Sequence, residues 1–176
     1  MESDEIGLIG VRFKDRKMTI NYINESGIQT SALRSGWFFP GDLGFLSKQN
    51  RLFFVGRNDD LIIFNGINIF PAEIERSARI GTLIKDACAF SIPSKLHHQI
   101  PCIAVIPSDG FNQAIFMDQL KSRLAHKAPK ICMQIQQFPK NAMGKVLRRE
   151  FSRIMFEKLA AQKAHADEIV AQPKIE

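Results

Sequence analysis

Residues 55–75 read VGRNDDLIIFNGINIFPAEIE. A charged stretch, Gly56–Asp60, gives way to the apolar run Leu61–Phe64, which reads as a buried strand. Asn65-Gly66 is a dipeptide suited to a two-residue hairpin turn, because such turns need positive φ at both central positions. Ile67–Phe70 is then the returning strand. Pro71 fits the first position of a helix, and Glu73 and Glu75 fall in its first turn, where the macrodipole favours anions. Gly81 is the expected stop.

Downstream, Ala87–Ile92 and Cys102–Ile106 read as strands, each followed by proline. Gln113–Lys127 reads as an amphipathic helix with Phe116, Leu120 and Leu124 on one stripe and Met117 beside it. Ile131–Phe138 alternates weakly as a strand. Val146–Ala161 predicts a second amphipathic helix, with Leu147, Phe151, Ile154, Met155 and Leu159 on one face and Arg148, Arg149 and Arg153 on the other. Upstream, Ile6–Arg12 and Met18–Tyr22 alternate about a charged Lys14–Lys17 turn and suggest a hairpin within residues 5–23. Asn24–Arg34 is polar and loop-like. Trp37–Phe39, Leu43–Leu46 and Leu52–Val55 are short apolar runs broken by Pro40-Gly41 and by Ser47–Asn50, a β-rich pattern with tight turns. Strands interleaved with helices over 60–162 argue for a small α+β domain.

The 176 residues give one domain, or one domain plus part of another. Hydrophobic residues at 45% and charged residues at 24% exclude a disordered chain. The longest stretch free of Asp, Glu, Lys and Arg is Leu96–Ser108, 13 residues, too short to span a bilayer. Met1–Glu5 is acidic and does not read as a secretory signal. Cys88, Cys102 and Cys132 show no CxxC spacing and read as reduced, mostly buried thiols of a cytoplasmic protein, not as a disulfide frame or zinc site. Residues 121–160 hold ten Lys or Arg and two Asp or Glu, against a formal net charge of +6 for the whole chain. That window favours a polyanionic partner, or is simply a solvated helical face.

Four segments carry chemistry: GWFFPGDLGF (36–45), VGRNDDLIIFNGINIFPAEIE (55–75), SIPSKLHHQIPCIAVI (91–106) and FPKNAMGKVLRREF (138–151). Singly, each has a plain explanation as a turn, a charged loop, a hairpin or a helix cap. In this order and spacing they resemble the adenylate-forming (AMP-binding) synthetases: acyl-CoA synthetases, luciferases and the adenylation domains of peptide synthetases. The resemblance covers about residues 5–155. It implies that residues 1–58 are a β-rich remnant of the family's large N-terminal domain. Residues 59–162 would be the C-terminal lid domain, a β-hairpin plus a three-stranded sheet with packed helices, and 163–176 a polar tail.

The resemblance also implies roles. Asp42 matches the acidic residue that binds the ribose hydroxyls of ATP or AMP, and Arg57 a basic residue that reaches the nucleotide. Asp59 matches the hinge about which the lid rotates. Gly66 matches the glycine facing the thiol tunnel, where the lack of a side chain leaves room for a pantetheine arm. Lys145 matches the lysine of adenylation, a cation that stabilises charge as a carboxylate attacks the α-phosphorus and pyrophosphate leaves. Rotation about Asp59 would then bring Gly66 forward, and the thiol of coenzyme A or of a carrier protein would take the acyl group. Pro40 stands where the family usually has Thr, which removes a hydroxyl and an N–H from that edge.

The family's phosphate loop, adenine pocket, acyl pocket and Mg²⁺-binding carboxylate all lie upstream of the matching residues. The expectation is therefore an acid–thiol ligase fragment with no independent ATP-dependent activity, dependent on an N-terminal domain or chain. The alternative is a lid-like interaction module that catalyses nothing. A basic nucleic-acid binder is the third class, and the aromatic signature it needs is not seen. Phe38, Phe39, Phe45, Phe53 and Phe54 read as core, and His97-His98 as a loop pair without further metal ligands. Arg148, Arg149 and Arg153 could touch coenzyme A phosphates, or form a solvated face. With its packing partner absent, the β-rich part is expected to expose apolar surface and to form a homodimer.

Overall fold

The computed structural model of the chain describes residues 5–14, 19–24, 27–33, 35–81 and 83–170. The chain divides into two compact units, Met1–Asp59 and Asp60–Glu176. The fold class is α+β, with mostly antiparallel sheets and, among the described residues, three α-helices.

The first unit is built of strands. β1 (Gly7–Leu8), β6 (Asp42–Leu46) and β7 (Leu52–Arg57) form one sheet in the order β1-β6-β7. β2 (Val11–Arg12) pairs β5 (Trp37–Phe38), and β3 (Thr19–Asn24) pairs β4 (Gly27–Ala32). This corrects the hairpin expected within 5–23. The segment Gly7–Arg12 pairs instead with strands from 37–46, and the hairpin partner of Thr19–Asn24 lies in the stretch expected to be a loop. Met18–Tyr22 does alternate, but the polar partner strand β4 does not, so its β character is invisible to patterning. The expected Lys14–Lys17 turn falls outside the described residues after Lys14. Leu43 is the one buried hydrophobe of this unit among the described residues. Phe39, Phe53 and Phe54, expected in a core, are 40%, 44% and 61% exposed. An apolar groove of about 440 Å³ opens between Leu8, Ile9, Trp37, Phe39, Phe45 and Leu52.

Among the described residues, the second unit has a single sheet. β8 (Ile62–Phe64) and β9 (Ile67–Ile69) are the hairpin that Asn65-Gly66 predicts. β10 (Ile84–Ser94) and β11 (His98–Pro107) are long antiparallel neighbours, and β12 (Ile131–Gln134) runs parallel to β11. The hairpin is not separate from the three-stranded sheet: β8 meets β11 at Phe64↔His98. His98, expected in a loop, therefore opens a strand.

Alternation along β10 and β11 feeds two cores. Ala87, Ala89, Ile103 and Val105 point to one face, where Ile74 and Ala78 of α1 (Pro71–Ala78) and Phe116 and Leu120 of α2 (Gln113–Leu124) cover them. Cys88, Phe90, Cys102 and Ala104 point to the other, under Phe151 and Met155 of α3 (Arg148–Val170). Both faces are thus buried, which is why these strands read as continuous apolar runs. Phe151 meets Phe90 and Phe138 edge-on at ring-centroid distances of 5.1 and 5.4 Å.

Boundaries shift at several ends. α2 stops at Leu124 and a 3-10 turn covers Ala125–Lys127. β12 ends at Gln134, well before Phe138. α3 begins at Arg148 and continues to Val170, into the region expected to be a polar tail. Ala160, Ala161, Ala164 and Ala166 are strong helix formers and carry it on. Residues 171–176 of the expected tail lie outside the described residues.

Candidate functional site

In the first unit, Asp42 opens β6 and Arg57 closes β7, and the two are directly paired across the strands. Arg57 Nη1 donates to Asp42 Oδ1 at 2.9 Å. Gly41 takes φ +88°, a left-handed conformation that favours glycine, and a Cβ there would be in ordinary contact, 3.4 Å, with Arg57 Nη2. A carboxylate held by a guanidinium keeps further lone pairs for hydroxyl donors. Asp59 lies in the 3-10 turn Asn58–Asp60 at the boundary of the two units.

In the second unit, Gly66 and Asn65 take φ +77° and +50°, the left-handed pair a two-residue hairpin turn needs. Nothing lies within 4 Å of where a Gly66 Cβ would stand. The turn is buttressed from the β10–β11 connection: His97 Nδ1 lies 2.8 Å from Asn65 Oδ1, and the His97 ring sits 5.4 Å from that of Phe64. Lys130 Nζ sits 5.3 Å from the Phe64 ring centroid. His97 is thus a prop of the Gly66 turn.

Lys145 sits exposed on a loop closed by the Lys140↔Val146 bridge and by Leu147 N–H donating to Pro139 O at 2.9 Å. Asn141 shapes the loop from inside. Its Oδ1 accepts from Lys145 N–H at 2.9 Å and from Met143 N–H at 3.1 Å. Gly144 takes φ +78°. Asn141 thus holds the loop backbone while the Lys145 side chain is exposed.

Two features escaped the sequence reading. Glu75 lies beyond the first turn of α1, which holds Glu73 as its acidic residue. Glu75 instead accepts from Arg148 Nη1 at 2.6 Å and from Ala89 N–H at 2.9 Å. Arg148 is consequently drawn inward, not solvated, with its Nε 3.5 Å from Asp60 Oδ2. Burial opposes the charge on Arg148, but the Glu75 hydrogen bond and neighbouring anions outweigh it and hold the guanidinium ionised. Burial also pushes the Cys88 thiol up to about 12, with Arg148 pulling the other way. Arg153, by contrast, stays on the surface and pairs with Glu157 at 3.0 Å. The doublet Asp59-Asp60 and the Glu73-Ile74-Glu75 repeat were visible, but pairing across 73 residues is set by the tertiary fold.

Among the described residues, no helix is long and apolar enough to cross a membrane. No group of three or more His, Cys, Asp or Glu side chains among them could hold a metal ion.

A scan against protein-family models returned no match. The chain is 31% identical over 145 residues to the 2-succinylbenzoate–CoA ligase of Bacillus mycoides (strain KBAB4), which is 82% of this chain and 30% of that protein. It is 31% identical over 147 residues to the ligase of the same name from Geobacillus sp. (strain WCH70), 81% of this chain and 30% of the relative. Among solved structures, o-succinylbenzoate CoA synthetase from Bacillus subtilis, in complex with the acyl-adenylate intermediate OSB-AMP, matches with a TM-score of 0.69 at 28% identity. That match covers 85% of this chain and 31% of the other. The same synthetase has been solved with ATP and magnesium ion. ATP-bound MatB from Rhodopseudomonas palustris matches with a TM-score of 0.67 at 23% identity, over 88% of this chain and 32% of that one, and supports the fold alone. The chain spans about 30% of the length of the curated relatives it matches. In sequence and in fold, it is a homologue of the C-terminal portion of the adenylate-forming acyl-CoA synthetases.

Proposed function

We propose that this chain forms the C-terminal part of an ATP-dependent acyl-CoA, or acyl-carrier, synthetase. The complete enzyme would activate a carboxylate as an acyl-adenylate and pass the acyl group to a thiol. The observation that carries this reading is Lys145, exposed on a loop whose backbone Asn141 pins, within a fold shared with acyl-CoA synthetases. In this role the Lys145 ammonium stabilises negative charge growing on phosphate oxygens during adenylation. Asp42, oriented by Arg57, accepts from ribose hydroxyls of ATP or AMP. Gly66 leaves space beside the backbone for the pantetheine arm of coenzyme A or of a carrier protein. Asp59 is the hinge between the two steps.

The acid is selected in the preceding domain. By the family resemblance the Mg²⁺-binding carboxylate also belongs to that domain, and no step here runs through it. The exposed apolar face of residues 5–54 supports a chain that is inactive alone and is covered by that domain, as a preceding segment or separate chain, or by a second copy of itself. The working compartment in this reading is the cytoplasm. The same face favours a second reading, a non-catalytic module that only binds a partner.

ATP–pyrophosphate exchange on the purified 176-residue chain, with a panel of carboxylic acids and K145A as control, tests the reading. No exchange by the chain alone is expected. Exchange that K145A abolishes would make the chain a self-sufficient synthetase and overturn the dependence on a preceding domain. Sedimentation at high concentration tests the dimer, and a strictly monomeric profile removes it.

A further inference from the structure

Arg148 is the first residue of α3 and lies three positions after Lys145. Its side chain is 24% exposed, and it touches three other segments. Nη1 donates to Glu75 of α1 at 2.6 Å and to the carbonyl oxygen of Ala89 on β10, and lies 3.4 Å from Cys88 Sγ. Nε makes no hydrogen bond but lies in ion-pair range, 3.5 Å, of Asp60, the last residue of the 3-10 turn that holds Asp59. Glu75 Oε1 in turn accepts from Ala89 N–H at 2.9 Å. The Arg148–Glu75 pair therefore satisfies both backbone groups of Ala89, as a neighbouring strand would. Other side chains continue this along the same strand: Arg79 Nη2 donates to Ala87 O at 3.4 Å and Ser152 Oγ donates to Ser91 O.

A buried ion pair is weak evidence for stability, since packed apolar groups often serve as well. What an apolar pair could not do here is close the edge of β10 and reach a carboxylate beside the hinge with one rigid group. The planar guanidinium presents several donors in a fixed fork, and a lysine presents one point charge. The geometry therefore points to coupling. We propose that Arg148 is a positioning residue: it locks the Lys145 loop to α1, to β10 and to hinge-side Asp60, so that Lys145 travels with the second unit as one rigid piece. The functional side of this rests on reading Lys145 as the adenylation lysine. The physical side does not.

Hydrogen exchange on the full chain tests it. The reporters are the amides of Lys145 and Leu147, bonded to Asn141 Oδ1 and Pro139 O, against those of Ile103 and Val105 in the core of β11. R148M and R148K are both expected to speed exchange at Lys145 and Leu147 by about tenfold or more while leaving β11 unchanged, the pattern of a local opening. S152A, which loses one bond from α3 to β10 but no tie to α1 or Asp60, should leave the loop at the rate of the parent chain. R148K keeps the charge and the aliphatic stem, so the comparison survives if R148M does not fold. Unchanged exchange at Lys145 and Leu147 would overturn the proposal. So would a rise shared equally by β11, or an equal effect of S152A. Failure of the catalytic reading shows separately, as ATP–pyrophosphate exchange that K145A does not alter.

Discussion

Replacing Gly66 by alanine separates what the turn needs from what the proposed reaction needs. Gly66 holds φ +77° in the Phe64–Ile67 turn, and a Cβ there meets nothing within 4 Å. The cost is therefore conformational and not steric. A non-glycine residue in the left-handed region costs roughly 1–2 kcal/mol. The reduced freedom of the unfolded chain returns about 0.4–1 kcal/mol. The net loss should be about 1 kcal/mol, which lowers Tm by about 3–6 °C in a unit of this size. Scanning calorimetry and urea unfolding of G66A measure it. If Gly66 flanks the path of the thiol, a methyl group there obstructs acyl transfer but not adenylation. In an active assembly, G66A should keep ATP–pyrophosphate exchange and lose thioester formation. A stability loss above about 3 kcal/mol would refute the open geometry, since strain alone does not reach that value. Undiminished thioester formation would refute the role.

Three further outcomes follow from the second unit. N141A removes the acceptor for the Met143 and Lys145 amides; because the site is exposed, stability should fall by at most about 1 kcal/mol, while the Lys145 amide exchanges several-fold faster by NMR. F151A removes a ring that is 2% exposed and in edge contact with Phe90 and Phe138, and should cost about 3–5 kcal/mol, read as a lower urea midpoint. Burial raises the Cys88 and Cys102 thiols to about 12 and Cys132 to about 11. The unfolded chain therefore releases these protons first as pH rises. The stabilising effect is complete below pH about 9 and is lost towards pH 11–12, which urea midpoints across that range should record.

Much of the second unit is legible because local and tertiary preferences agree there. Asn65-Gly66 demands a hairpin turn, Pro71 starts a helix, and β10 and β11 are apolar on both faces because helices cover both. The first unit was misread for the opposite reason. The polar strand Gly27–Ala32 pairs with Thr19–Asn24 among the described residues, and its sequence carries no apolar alternation to announce a strand. Phe53 and Phe54 look like core residues, yet they are exposed here. Of the candidate site, Asp42, Arg57, Asp59, Gly66 and Lys145 are named only through the family resemblance, and Asn141, whose side chain holds the Lys145 loop, is not named by it. Nor does it single out Arg148. Its sequence neighbours Arg149 and Arg153 share its helix and its charge, and only the approach of Glu75 and Ala89 from distant segments turns one of the three inward.

The proposed function makes Lys145 the adenylation lysine of a synthetase. The most direct measurement is ATP–pyrophosphate exchange by a fusion in which residues 36–176 replace the matching C-terminal portion of the Bacillus subtilis o-succinylbenzoate CoA synthetase. The account predicts exchange dependent on that enzyme's acid, abolished by K145A and retained in G66A. Exchange that persists undiminished in K145A would contradict it.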